Sequence, residues 1–196
     1  MKSGRVVCLV ALVSILGGCN KGGMIASESK KLDACSLLTK EEIQAVQDSA
    51  ITETKTSDMS NADFRISQCY FSAQQTSKSV SLMLTQSNPE HSNLTPKDYW
   101  QKTFARAVNQ PEEREREREG EGEAREQKDK EHEEEAKPIK VDGVGDDAYW
   151  SADRMGGALY VLKNNSFIRI SLGGPDDKNA KLEKSKTLAK KALQRM

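Results

Sequence analysis

The stretch GALYVLKNNSFIRISLGG, residues 157–174, decides the fold. Leu159 and Val161 on one side of its centre, and Ile168 and Ile170 on the other, are apolar residues spaced two apart, the period of a strand. Asn164-Asn165 between them is a two-residue turn of the kind that accepts positive φ, and Gly173-Gly174-Pro175 stops the second strand. The stretch therefore reads as a β-hairpin with antiparallel strands.

The same reasoning extends outward. Beyond the hairpin, residues 177–195 place Leu182, Ser185, Ala189, Ala192 and Leu193 on one helical face, continued by Met196, with lysines on the other face. Asp176 and Asp177 stand at the helix start, where carboxylates suit the helix dipole. Before the hairpin, IKVDGVGDDAYWSA (139–152) reads as strand, glycine turn and strand. KSVSLMLTQ (78–86) alternates cleanly, with Val80, Leu82 and Leu84 on one face, and DFRISQCYFS (63–72) alternates imperfectly. Thr39 and Glu42 form a capping box flanked by a Leu38–Ile43 staple, so a helix is expected over 40–48, with Ile43 and Val46 facing in. Thr95-Pro96 opens a second helix, in which Trp100, Phe104 and Val108 make an apolar stripe.

This order of helix, strands, helix, strands and helix, with hairpin-like links, predicts an α+β fold: a mainly antiparallel sheet with helices packed on one face. A weak echo, strands followed by a helix, occurs twice without a residue-level repeat.

One segment fits no element. PEEREREREGEGEAREQKDKEHEEEAK, about 111–137, holds thirteen acids against seven bases and nothing apolar larger than alanine. It has no surface with which to join a core. Glu-Arg alternation sets unlike charges at i,i+3 but like charges at i,i+4, so helical support partly cancels. We expect an exposed charged insertion, with a polyelectrolyte contact as the functional alternative.

The N-terminus carries a different signal. Lys2 and Arg5 precede an apolar run, Val6–Leu16, that is too short to span a bilayer, which needs about 20 residues. This is the pattern of a secretory signal peptide. Its end, Leu16-Gly17-Gly18-Cys19, resembles the lipobox of bacterial lipoproteins. The resemblance implies cleavage between Gly18 and Cys19 and lipidation of Cys19. Asn20 in place of the family's retention aspartate implies the outer membrane in a two-membrane host, and otherwise the cell membrane. Residues 1–18 are then the signal peptide, 19–32 a flexible Gly-rich tether, and 33–196 one α+β domain interrupted by the insertion.

The formal net charge of zero argues against a nucleic-acid binder with a basic face, although the charge is unevenly distributed along the chain. Of four cysteines, Cys8 leaves with the signal and Cys19 takes lipid. Cys35 and Cys69 remain in an oxidising compartment, where a disulfide is the natural reading and two separate buried thiols the alternative. Asp33-Ala34-Cys35-Ser36-Leu37-Leu38-Thr39, Cys69-Tyr70-Phe71 and Gly143-Val144-Gly145-Asp146-Asp147-Ala148-Tyr149-Trp150 together resemble an uncharacterised family of small secreted bacterial lipoproteins, over most of residues 33–195. That resemblance implies the Cys35–Cys69 pair and an envelope location, and no catalytic residue.

Other motifs favour structural roles. Gly143-Val144-Gly145 lacks the third glycine and following helix of a dinucleotide site and reads as a turn. Asp142, Asp146 and Asp147 lack the ligand spacing of a calcium loop, so no metal or cofactor is expected. Neither histidine sits in a triad-like context, and no nucleophile elbow is present. Trp100, Tyr149 and Trp150 are candidate binding residues for a sugar or lipid groove, with the core as their alternative place. The sequence thus points to a membrane-tethered envelope lipoprotein, a binding module for an envelope protein or wall component. A wall-acting enzyme with one deep polar pocket and a small-ligand carrier with a closed apolar cavity are the alternatives.

Overall fold

The computed structural model describes residues 31–90, 93–105, 137–152 and 156–196. The expected signal peptide, Cys19, all of the tether before Lys31, Val108 and the charged insertion up to Ala136 lie outside the described residues.

Among the described residues seven strands form one sheet: β1 (Ile51–Ser60), β2 (Phe64–Ala73), β3 (Val80–Ser87), β4 (Ile139–Lys140), β5 (Asp147–Ser151), β6 (Ala158–Lys163) and β7 (Ser166–Leu172). Their spatial order is β1-β2-β3-β7-β6-β5-β4, and every neighbouring pair is antiparallel. With helices α1 (Lys40–Gln47), α2 (Pro96–Trp100) and α3 (Lys178–Leu193) packed against it, the fold is α+β, as the sequence predicts. The hairpin of 157–174 sits where its pattern requires. Lys163 pairs with Ser166 across the two-residue turn, and Asn164 takes φ +55°.

Alternation divides the core between the two faces of the sheet. On the first face, Val80, Leu82, Leu84, Cys69, Phe71, Ala148, Trp150, Leu159, Val161, Ile168 and Ile170 meet Ile43 of α1 and Leu188, Ala189 and Ala192 of α3. On the second face, Tyr149, Leu162 and Phe167, each next in sequence to one of those residues, meet Trp100 and Phe104. The helices α1 and α3 thus share one face as expected, and α2 covers the other. The reason lies in β5–β7, which are apolar at successive positions. Such strands bury both faces, and the second face needs its own cover. Strands followed by a helix do occur twice, but α2 and α3 take opposite faces. A two-fold through the central β3–β7 pair therefore does not relate the halves.

Strand β1 is an addition to the sequence reading. Ile51 is its one buried residue, and Thr, Glu, Lys, Ser and Asp follow. It lies at the sheet edge with β2 as its one neighbour among the described strands, so no face of it displays the apolar alternation by which a half-buried strand is recognised. A bulge at Thr52 and the charges of Glu53, Lys55 and Asp58 blunt that edge.

The helices begin as their residues dictate. Thr39 Oγ1 accepts from the Glu42 backbone and Glu42 Oε2 accepts from Thr39 N–H. Past Trp100 the chain winds one π-helical turn, Gln101–Ala105, rather than continuing as α-helix. Arg195, just past α3, donates to both carboxylate oxygens of Glu42, at 3.0 and 2.9 Å, and to the Leu37 carbonyl at 2.9 Å. This fork holds Glu42 below the ordinary glutamate range, helped by the Thr39 N–H and opposed by burial. The unfolded chain therefore takes up this proton first as the pH falls. The stabilisation is complete above the ordinary glutamate value of about 4.3 and is lost as the pH drops through the lower, folded value. Urea midpoints at pH 6 and pH 3 should differ more for the native protein than for Glu42→Gln. Equal differences would dismiss the pair as a pH-dependent contributor.

Candidate functional site

The turn Gly143–Asp146 packs against the hairpin of 157–174. Gly143 and Gly145 adopt φ +77° and +66°. A Cβ on Gly145 would collide with Val161 Cγ1 and lie 2.5 Å from the Leu162 carbonyl oxygen, so only glycine fits. Asp146 N–H donates to Leu162 O at 2.8 Å, and its carboxylate accepts from Asn164 N–H and from Lys163 Nζ. The Asn164 hydrogen bond chiefly, and then Lys163, holds Asp146 below the ordinary aspartate range. Gly145→Ala combines left-handed strain with overpacking and should destabilise by roughly 2–3 kcal/mol in urea unfolding; an unchanged midpoint would contradict the contact. Asp147 is occupied elsewhere, accepting from Trp100 Nε1 at 2.9 Å and facing Lys140 Nζ at 3.7 Å. Asp142 is exposed. Among the described residues no three His, Cys, Asp or Glu side chains gather as metal ligands.

The aromatic candidates separate. Trp100 and Tyr149 meet on the second face, ring centroids 5.8 Å apart, with Phe104 at 4.5 Å from Trp100 and stacked on Tyr149 at 5.2 Å. Trp150 points to the first face and joins the other core. All three are buried, at 1, 4 and 3% exposure, so their rings fill the interior and line no open groove. Burial raises the Tyr149 phenol above its ordinary value, and the Asp147 charge adds to this.

The exposed aromatic and apolar groups are different residues. Tyr70 and Tyr99 are each 40% exposed and Met59 57%. Cross-strand pairing sets Lys55 beside Tyr70, Ser57 beside Gln68 and Met59 beside Ile66, all on the second face, toward β1 from α2. Tyr99 is held there edge-on to Phe64 at 5.6 Å and stacked on Phe167 at 6.0 Å, and Gln68 Nε2 donates to Ser81 Oγ. The result is a shallow surface of aromatic, amide and hydroxyl groups. The sequence holds a signal for part of it: Cys69 faces the core, so Tyr70 must face away.

Two clefts are open and polar. One of about 390 Å³ is lined by Gln44, Asp48, Ser49, Gln74 and Gln75. The other, about 450 Å³, is lined by Asn93, Leu94, Asp98, Gln101 and Lys102. Asp98 is committed to the cap of α2, where hydrogen bonds from Thr95 hold it below the ordinary aspartate range. Neither cleft brings an acid, a base and a nucleophile together, and neither is a closed apolar cavity. His91 and His132 lie outside the described residues, and among those residues no helix is long and apolar enough to cross a membrane.

The two cysteines are joined. Cys35, in a single 3₁₀ turn over Ala34–Ser36, forms a disulfide with Cys69 in the middle of β2, Cα atoms 5.0 Å apart. The turn places Cys35 because Asp33 caps it and the Ala34 N–H reaches Ser67 Oγ on β2. Cys69 is fully buried. Comparison of the chain with protein-family models, with curated proteins and with solved structures finds no match.

Proposed function

We propose that the protein is a membrane-tethered envelope lipoprotein, lipidated at Cys19, whose folded domain is a non-catalytic binding module. The observation that carries the reading of the domain is the shallow second-face surface of Tyr70, Tyr99, Met59 and Gln68, with no convergent catalytic constellation among the described residues. Aromatic faces beside amides and hydroxyls suit a protein or wall component better than a reacting small molecule. The disulfide supports an extracytoplasmic location, because such bonds persist in oxidising compartments. Tethering acts by confining the domain to a surface, which raises its effective concentration toward anything held at that surface. Two or more acyl chains, at about 0.8 kcal/mol per buried CH₂, make the attachment stable.

Labelled palmitate should enter the wild-type protein and not Cys19→Ser; an unlabelled wild type would remove the tether. The mature domain should sediment with isolated envelopes, and Tyr70→Ala with Tyr99→Ala should lower the bound fraction at least fivefold. Binding that ignores both substitutions would move the site elsewhere.

A further inference from the structure

The path from the proposed anchor into the sheet passes through the disulfide almost at once. Lys31 Nζ lies 3.4 Å from the Asp58 carboxylate, and Leu32 N–H donates to the Gln86 side chain at 3.0 Å. Cys35 and its bond to Cys69 follow. The bond closes a stretch with a sequence separation of 34 that contains all of α1 and β1.

Resting on the reading of Cys19 as the anchor, we propose that this disulfide diverts tension, so that a pull on the N-terminus enters the sheet at Cys69 and bypasses α1 and β1. Without the bond, the covalent path from Cys35 runs through α1 and then along β1. The eight-residue α1 is held by side-chain packing and by the Glu42–Arg195 fork. Strand β1 pairs with β2 alone among the described strands and is exposed over most of its length. Such an edge gives way a few hydrogen bonds at a time. With the bond, the same pull arrives at a buried residue of a strand flanked by β1 on one side and β3 on the other, and loads both ladders together. Only residues 31–34 can then peel, a gain of at most about 14 Å at full extension. Without it, residues 31–60 can follow, at most about 110 Å. The disulfide thereby fixes the reach of the domain above the membrane while a partner is held.

The test is a force-clamp measurement on the full mature chain. One handle is attached at residue 19, and the other at Ser81→azidophenylalanine on central strand β3. Below the force that ruptures the sheet, the oxidised protein should extend no further than the short N-terminal segment. Adding a water-soluble phosphine, which is oxidised as the S–S bond becomes two thiols, should release one further step of at most about 90 Å. The Cys35→Ser/Cys69→Ser protein should give that step on its first pull, which covers the case of a buried bond the phosphine does not reach. Release of α1 and β1 in the oxidised protein, or no step in the reduced one before the sheet unfolds, would overturn the proposal. The handle replaces the lipid, so this outcome is independent of the palmitate result.

Discussion

Replacing both Cys35 and Cys69 with alanine should lower the stability of the folded domain by about 3–4 kcal/mol. The cysteines are 34 residues apart, and closing a loop of that size removes this much conformational freedom from the unfolded chain. The native structure contributes in the same direction. Cys69 is shut off from solvent and packs in the first-face core with Phe71 and Leu82. The bond also fixes the 3₁₀ turn whose Ala34 is buried in that core, together with Leu37 just after it. Against a total stability of about 5–15 kcal/mol, the loss is a large fraction. Urea unfolding has two readouts here. The midpoint should fall, and the slope of free energy against denaturant should rise, because the released chain exposes more surface on unfolding. A loss under about 1 kcal/mol, with the slope unchanged, would mean that the loop is already restricted in the unfolded ensemble.

The pairing is legible from cysteine arithmetic, since the reading of the N-terminus as a lipoprotein signal accounts for the other two of the four cysteines. The hairpin and the two outer helices were legible from period and caps. What escaped the sequence escaped for physical reasons. Strand β1 gains its place from backbone pairing to β2 alone, and hydropathy does not record backbone pairing. The second-face position of α2 depends on how much apolar surface β5–β7 leave uncovered, a property of the assembled sheet. The aromatic candidates show the limit most clearly. Tyr149 and Trp150 are consecutive in a strand and so must face opposite ways. One groove was therefore already excluded for them by the alternation that identified the strand. Tyr99 was concealed by Trp100, its neighbour in α2, because a large aromatic beside another gives no sign of which one the sheet takes. The structure assigns the inward place to Trp100 and leaves Tyr99 half outside.

That assignment makes Trp100 the residue on which the second face depends. Trp100→Ala should cost about 3–5 kcal/mol. Trp100 is 1% exposed and meets Phe104, Tyr149 and Phe167 with ring centroids between 4.5 and 5.8 Å. Within the described residues the helix is five residues and one π turn, below the roughly 12–15 residues at which an isolated helix is even marginal. Its order therefore comes from docking, and Trp100 is the centre of the dock. The Asp147 carboxylate is not orphaned by the change, because Lys140 Nζ at 3.7 Å and the Ala148 N–H at 3.1 Å remain beside it. Most of the loss is consequently ring packing. Trp100→Phe, which keeps an aromatic ring and removes the indole N–H, should lose only about 1–2 kcal/mol. The two faces have separate cores, so the damage should be local. Amides of residues 95–105 should exchange hydrogen much faster in Trp100→Ala, while those of α1 and α3 keep most of their protection. Trp150, packed on the first face, then reports the rest of the fold by fluorescence, and its emission should stay native until global unfolding. Equal acceleration across α1, α2 and α3 would show instead that the two cores rise and fall together.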